Sequence, residues 1–223
     1  MAIETVELAI QRFGSAVYVY HEIVHNKHVV ADLSKRGAVF VDDIDEVPRG
    51  STIVFSAHGV SPHVRRRAEQ NQLYIIDATC PLVARVHAAA RRHHGQKRHM
   101  VLIGHADHDE VVGTMGEAPD SITVVSTVEH VNALDLPPDA DIAYLTQTTL
   151  SQDDAAELIA RLRERFPQIV GPSRGDICYA TQNRQNAVKR SAGRVDIALI
   201  VGSDNSSNSK RLREVAAARG AQA

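Results

Sequence analysis

Short apolar runs rich in valine and isoleucine alternate along this chain with segments of helical periodicity, and this alternation constrains the fold more than any other feature. The runs occupy residues 16–20, 38–41, 52–56, 73–77, 100–104, 122–126, 142–146 and 197–202. Continuous apolar strands separated by helices are typical of parallel sheets with both faces covered. The sequence therefore predicts an α/β architecture that opens with a helix ending at Gly14.

The domain boundaries are soft, because no long linker or low-complexity stretch interrupts the 223 residues. Cys80 and Gly171–Pro172 divide the chain into roughly three βα blocks, and the last block is short. We therefore expect a first α/β lobe at residues 1–80, a second at 81–174 and a partial third at 175–223.

Composition excludes several classes of function. The formal net charge of -2 and the pI of about 6.6 provide no basic field for nucleic acid or an anionic membrane. Glu4 and Glu7 replace the basic region of a secretory signal, and no apolar run approaches the roughly 20 residues that a membrane helix needs. We expect a cytoplasmic protein without nucleic-acid or membrane partners, in which the cysteines form no disulfide.

Both cysteines lie where an apolar run gives way to a helical pattern, Cys80 in D-A-T-C-P-L-V and Cys178 in D-I-C-Y-A-T-Q-N-R-Q. A thiol at the first turn of a helix faces unpaired backbone N–H groups and the positive end of the helix dipole. This position suits a metal ligand or a nucleophile. Two thiolates alone, however, cannot complete an ordinary cluster site.

Polar residues follow strand after strand, and in parallel sheets ligands collect at the carboxyl ends of the strands. The sets are His21 and His25, His58, Cys80, His105 and His108, Thr146 and Thr148, and residues 203–208. Six such sets predict one shared polar site. The Ser- and Asn-rich run at 205–209 exceeds what helix capping needs and favours a cradle for phosphate oxygens.

Two segments leave alternatives open. H-E-I-V-H at 21–25 matches the zinc-protease pattern, although its position directly after an apolar run places His21 at a strand end and not on a helix. G-H-A-D-H-D-E at 104–110 could bind a divalent metal, or it could offer imidazoles to an anion beside a carboxylic acid that delivers a proton.

Taken together, the motifs resemble those of the 4-hydroxy-3-methylbut-2-enyl diphosphate reductases, the iron-sulfur enzymes that end the non-mevalonate isoprenoid pathway. The matching segments, in order, are H-E-I-V-H-N-K, F-S-A-H-G-V, D-A-T-C-P-L-V, I-G-H-A-D-H-D-E-V-V-G-T-M-G, T-Q-T-T-L-S, D-I-C-Y-A-T-Q-N-R-Q and V-G-S-D-N-S-S-N-S. They run from His21 to Ser209 and so cover most of the chain.

The resemblance implies a three-lobed α/β fold around a central [4Fe-4S] cluster, of whose three cysteine ligands Cys80 and Cys178 match two. It implies that Glu110 delivers a proton while substrate hydroxyl is removed as water, giving isopentenyl and dimethylallyl diphosphates. Electrons would come from ferredoxin or flavodoxin. The residues that match substrate contacts are His25, His58, His108, Thr148, Ser206, Ser207 and Asn208.

The chain departs from the family pattern in one respect that matters for chemistry. The family's first cluster cysteine precedes the opening helix, and the family continues past the residue that matches Ala223. We therefore expect a fragment, truncated at both ends, with an incomplete third lobe, a labile cluster and little reductase activity. The alternative is a non-catalytic remnant that still binds diphosphates.

Overall fold

A computed structural model describes residues 1–14, 16–172 and 175–223. By their internal contacts these residues form two compact units. The first unit contains Met1–Ala88 together with Asp107–Pro119, and the second contains Ala89–Ala106 together with Asp120–Ala223. The division into lobes at 1–80, 81–174 and 175–223 remains a prediction.

The first unit is built on a four-stranded parallel sheet of order β2-β1-β3-β4. Its strands are β1 (Val17–Tyr20), β2 (Ala38–Val41), β3 (Thr52–Phe55) and β4 (Tyr74–Asp77). The helices that begin in this unit are α1 (Ala2–Phe13), α2 (Lys27–Lys35), α3 (Pro62–Gln70), α4 (Pro81–Gly95) and α5 (Asp109–Met115), and a 3₁₀ turn covers Ile44–Glu46. α4 continues into the second unit.

Successive residues of β3 pack into two different cores, which is what the pleat of a strand requires. Val54 packs with Val19 and Leu33 on one face, while Ile53 and Phe55 pack with other apolar side chains on the opposite face. The sheet is therefore covered on both faces, as its unbroken apolar runs predict.

Side-chain caps set where two of these helices begin. The side chain of Asn26 accepts hydrogen bonds from the backbone N–H groups of His28 and Val29, which starts α2 immediately after the His25 segment. Ser61 accepts from Val64 N at the start of α3, and Pro62 occupies the first helical position, where no N–H is needed.

The second unit holds a three-stranded parallel sheet of order β6-β5-β7. Its strands are β5 (His99–Ile103), β6 (Ile122–Val125) and β7 (Ile142–Thr146), and its further helices are α6 (Val128–Asn132), α7 (Gln152–Arg165), α8 (Tyr179–Ala192) and α9 (Ser207–Ala217). A 3₁₀ turn at Pro119–Ser121 precedes β6. The main core joins Ile103 and Ile142 to Leu162 and Phe166 of α7 and its end.

No helix within the described ranges has the length and apolar character needed to cross a membrane.

Seven of the eight predicted strands are confirmed to within about a residue at each end, and the α/β class with them. The strand predicted at 197–202 is wrong, because only an isolated parallel bridge joins Ile197 to Gln222. Beyond that bridge, the described residues offer no ladder partner to this run. Leu199 and Val201 are 86% and 96% exposed.

Replacing Ile103 by Ala should lower the free energy of unfolding by about 2–5 kcal/mol, because the side chain is buried in the core of the second unit and the substitution leaves a cavity. The matched control is Ile197→Ala in the same unit, where the side chain is 60% exposed and the loss should stay within about 0.5 kcal/mol. Urea denaturation measures both, and equal losses would contradict this placement of the core.

Candidate functional site

The carboxyl ends of three strands of the first unit lie at one level of the sheet. Tyr20 of β1 pairs with Phe55 of β3, which pairs with Asp77 of β4. Backbone hydrogen bonds continue this level into the loops, since Ala78 N donates to Phe55 O at 3.1 Å and Cys80 N donates to Ala57 O at 3.0 Å. The segments that follow the strands therefore emerge side by side.

Three of the predicted histidines meet at this edge, and they form the histidine group: His25, His58 and His108. The rings of His25 and His58 are stacked, with centroids 4.2 Å apart and planes 16° from parallel. The ring of His108 meets both edge-on, at 5.4 Å from His25 and 5.7 Å from His58. Residues from three separate loops thus present imidazoles to one small space.

The first turn of α5 supplies two of the predicted residues. His108 is the N-cap, and its Nδ1 accepts a hydrogen bond from Glu110 N at 3.1 Å, so the neutral ring carries its proton on Nε2. Nε2–H is therefore a donor that suits an anionic ligand. Glu110 is 2% exposed and lies in the first turn of the helix that His108 caps.

Asp109 brings a carboxylate to the histidine group. Its Oδ1 lies 2.8 Å from His21 Nδ1, and its Oδ2 lies 3.9 Å from His58 Nδ1. The hydrogen bond to Asp109 raises the pKa of His21 despite partial burial. Burial alone would raise the pKa of Asp109, but the hydrogen bond with His21 and the nearby imidazoles bring that pKa below its ordinary value. The two groups form an ion pair in mildly acidic solution.

The pKa of His58 shifts in the opposite direction from that of His21. Burial, followed by the neighbouring imidazoles of His25 and His108, lowers the pKa of His58 to about 3. Protonating a buried imidazole that lies against two other imidazoles is costly when no anion is present to balance the positive charge. In the free protein His58 is therefore neutral near pH 7.

The zinc-protease pattern at 21–25 lacks the helix on which its chemistry depends. His21 lies at the end of β1 with φ of 55°, and helix α2 begins only at Lys27. His25, His58 and Asp109 do place three ligand atoms within 4.8 Å of one another. Imidazole lone pairs lie in the ring plane, however, so two nearly parallel stacked rings do not direct both lone pairs at one ion.

Both cysteines begin helices, as the sequence predicts. Cys80 directly precedes α4 and its carbonyl accepts from Ala84 N, while Cys178 is the N-cap of α8 and makes no side-chain capping bond. Both thiols are free and partly exposed. Cys178 N donates to Thr148 O at 2.8 Å, which links this cysteine to the loop after β7.

Hydroxyl and amide groups gather within the second unit. Thr149 Oγ1 donates to Ser207 Oγ at 3.2 Å, and Ser206 caps α9 by accepting from Ser209 N. Thr148, which directly precedes Thr149 in the chain, is buried. Asn208 Oδ1 is buried without a hydrogen-bond partner in the part of the chain that the structure describes, so it leaves an acceptor open to a ligand.

Sequence reasoning assigned no role to several residues of these groups. Asp109 stands between His108 and Glu110, and its position between two predicted site residues was the available signal. Gln147 stands likewise between Thr146 and Thr148. The sequence could not show that its side chain accepts from His105 N and donates to Thr149 Oγ1. Its role depends on contacts that only the folded chain makes.

Replacing Asp109 by Asn should lower the pKa of His21, because the carboxylate that raises that pKa is removed. NMR titration of the imidazole signals measures the shift. Asp107→Asn, an exposed change two residues earlier, is the control and should leave the His21 pKa unchanged. An unchanged His21 pKa in Asp109→Asn would contradict the ion pair.

The same pair predicts how stability depends on pH. The raised pKa of His21 contributes stability that is complete below about pH 6.5 and is lost as the pH rises through the folded-state value. The lowered pKa of Asp109 contributes stability above about pH 4, which is lost on acidification. In urea denaturation, the difference in unfolding free energy between wild type and Asp109→Asn should thus peak between these values and shrink as the pH rises through the raised pKa of His21.

Comparison with known proteins identifies the family of the chain. The model of the LytB protein family matches residues 1–223. A 4-hydroxy-3-methylbut-2-enyl diphosphate reductase of Rhodopirellula baltica is 55% identical over 100% of this chain and 70% of its own length, and one of Azoarcus sp. is 56% identical over 100% and 71%.

A solved structure leads to the same family. The E-1-hydroxy-2-methyl-but-2-enyl-4-diphosphate reductase of Plasmodium falciparum superposes with a TM-score of 0.96 at 42% identity, covering 99% of this chain and 70% of that one. With the family model matching throughout and relatives above half identity, the chain belongs to the LytB family of reductases.

Proposed function

We propose that this chain carries the diphosphate-binding and proton-delivering residues of a 4-hydroxy-3-methylbut-2-enyl diphosphate reductase. The reaction removes the substrate hydroxyl as water, using two electrons and two protons, and leaves isopentenyl or dimethylallyl diphosphate. The observation that carries the proposal is the convergence of His25, His58 and His108, with ring centroids 4.2–5.7 Å apart. The relatives reported above act on a substrate of this kind by name.

The histidine group suits a diphosphate because it supplies donors without a permanent positive charge. His108 offers Nε2–H, and an anion beside His58 raises the pKa of that imidazole from about 3, because it offsets the cost of charging a buried ring and the repulsion from neighbouring imidazoles. Thr148, Ser206, Ser207 and Asn208 are the hydroxyl and amide residues that we assign to the same substrate.

Glu110 is the residue to which we assign proton delivery. Its carboxyl group is 2% exposed and stands at the first turn of α5, two residues after His108. A buried carboxylic acid held on a helix can give a proton to a departing hydroxyl without competing water. His108 accepts from the backbone N–H of Glu110, which fixes the His108 ring against the first turn of the helix that carries Glu110.

Cys80 and Cys178 fit an iron-sulfur cluster by their chemistry. Both are free, partly exposed thiols at the beginning of helices, and the Cys178 thiol makes no side-chain capping bond to α8. We propose that they are two of three cysteine ligands of a [4Fe-4S] cluster. When bound, such a cluster supplies electrons and an open iron site, and ferredoxin or flavodoxin is the proposed electron donor.

One observation favours a second candidate, a non-catalytic diphosphate binder. The chain contains 2 cysteines, one fewer than the proposed cluster requires. A cluster held by two protein thiolates exchanges its ligands easily, so diphosphate binding could persist in this chain without reduction.

Anaerobic reconstitution with iron and sulfide should distinguish the two candidates. We expect a visible iron-sulfur absorption that bleaches with dithionite, is weak in buffer alone and is strengthened by a small thiol that supplies the missing ligand. Cys80→Ser and Cys178→Ser should each abolish it. A stable cluster with full turnover and no added thiol would contradict the two-ligand assignment. If the protein instead bound stoichiometric zinc and lost it in His25→Ala, the result would favour a zinc hydrolase, as the pattern at residues 21–25 suggests.

Inorganic pyrophosphate tests the histidine group independently of the cluster. Between pH 8 and pH 6, wild type should take up more protons on binding than His58→Ala does, because the anion raises the pKa of His58 from about 3 in the free protein while the protonation of pyrophosphate itself is common to both. Calorimetry in buffers of different ionisation enthalpy measures the protons taken up. An affinity that does not change with pH would rule out protonation on binding.

The same titration identifies the residue. Replacing His58 by Ala should weaken pyrophosphate binding by about tenfold or more, the usual effect of losing a hydrogen bond to a charged group. His28→Ala is the control, because His28 is exposed on α2 and should alter the affinity by less than about twofold.

A further inference from the structure

Two backbone segments that carry site residues approach each other closely in the first unit. Gly59 directly follows His58, and Gly113 lies on α5 one turn after Asp109 and Glu110. A Cβ atom at Gly113 would lie 3.4 Å from the carbonyl oxygen of Gly59. This distance is that of ordinary van der Waals contact, so the segment after His58 and helix α5 lie directly against each other at this point.

The ring of His87, from α4, fills the space beside this approach. Its Cε1 atom lies 2.9 Å from where a Cβ atom of Gly59 would be, and 3.4 Å from the equivalent point at Gly113. The His87 side chain is 6% exposed. Its ring therefore packs against both segments, so a change in the position of the ring would displace each of them.

Glu117 holds that ring in place. His87 Nδ1 lies 2.9 Å from Glu117 Oε1, and the Glu117 side chain is 5% exposed. Glu117 lies two residues after the end of α5, and its N–H donates a hydrogen bond to Thr114 O of that helix. The contact thus ties α4, the helix that follows Cys80, to the end of the helix that His108 caps.

Such a pair is not needed for stability alone. Removing a carboxylate and an imidazole from water is costly, and apolar side chains of similar volume often stabilise a core as well or better. What a buried hydrogen-bonded pair adds is direction, because the bond to Glu117 restricts the rotation of the imidazole. The ring then presents the same edge to both glycines.

We propose that His87 and Glu117 are positioning residues for the histidine group, an inference that rests on the proposed diphosphate-binding function. They hold the His58–Gly59 segment and α5 at a fixed separation. The edge-on contact of His108 with His58, at 5.7 Å between centroids, depends on that separation. Neither residue touches the proposed substrate. They act through the backbone segments that bear His58, His108 and Glu110.

His87→Leu tests the proposal, since leucine fills much of the space but makes no hydrogen bond to Glu117. We expect pyrophosphate affinity to fall by about tenfold, the order of loss that follows a small displacement of binding groups, and the imidazole NMR signals of His58 and His108 to shift. The control is His93→Leu on the same helix, where a histidine 3% exposed bonds to Arg98 at 3.2 Å.

The His93→Leu control distinguishes a loss of positioning from a loss of stability. Both variants should lower the melting temperature, but His93→Leu should keep pyrophosphate affinity within about twofold of wild type. His87→Asn should restore part of the affinity, because its amide nitrogen can take the place of Nδ1 in the bond to Glu117. Equal affinities in wild type and His87→Leu, or losses that simply follow the melting temperature in both variants, would overturn the proposal.

A second pair of variants removes the risk that His87→Leu does not fold. Gly59 and Gly50 both have φ of 78°, so alanine brings similar backbone strain at either position. Only at Gly59 would the new Cβ atom press on His87, because nothing lies within 4 Å of the Gly50 position. Gly59→Ala should weaken pyrophosphate binding and shift the His58 signal, and Gly50→Ala should do neither.

The readouts also separate this inference from the proposed function. Should wild type bind no pyrophosphate, the diphosphate-binding function fails, while the imidazole signals of the ligand-free variants still report whether His87 positions His58 and His108. Signals that stay at their wild-type positions in His87→Leu and in Gly59→Ala would contradict positioning, whatever the ligand proves to be.

Discussion

The parallel register of β1, β3 and β4 is the constraint on which the placement of His25, His58 and Cys80 depends. Because Tyr20, Phe55 and Asp77 are paired across the sheet, the residues that follow each strand leave it at the same level. The sheet therefore brings together residues that are far apart in the chain, whether or not their side chains contact each other. The ladder hydrogen bonds and the two apolar cores that hold this sheet are thus as much part of the site as the imidazoles.

That constraint also explains why much of the site could be predicted from sequence. Seven strands are recognisable as apolar runs, and the carboxyl-end rule then brings together the polar residues after β1, β3 and β4. His25 and His58 follow from this rule alone. The helix starts at both cysteines follow from local pattern as well. The roles of the individual residues toward substrate, in contrast, come from family resemblance and remain predictions.

What could not be predicted depends on pairs joined by the fold. Asp109 and His21 are 88 positions apart, and no local pattern identifies one as the partner of the other. His87 reads in the sequence as one more residue of an amphipathic helix, and only its contact with Glu117 distinguishes it. The run at 197–202 shows the converse, since its apolar composition is typical of a strand while its pairing extends to a single bridge. The composition of a segment gives it a propensity for a strand, but a strand forms only where another strand pairs with it.

The start of α5 places His108, Asp109 and Glu110 at three consecutive positions: His108 meets His25 and His58 edge-on, Asp109 bonds to His21, and Glu110 is buried. His108 is the N-cap and has extended backbone, whereas Asp109 and Glu110 are helical, so the directions of these two side chains differ by about 100° and are set together by the phase of α5. Inserting or deleting one residue between Glu110 and Gly113 would turn both side chains by that angle relative to Gly113, which lies against Gly59. The spacing from Asp109 to Gly113 is therefore as strict a requirement as the identity of the residues at its ends.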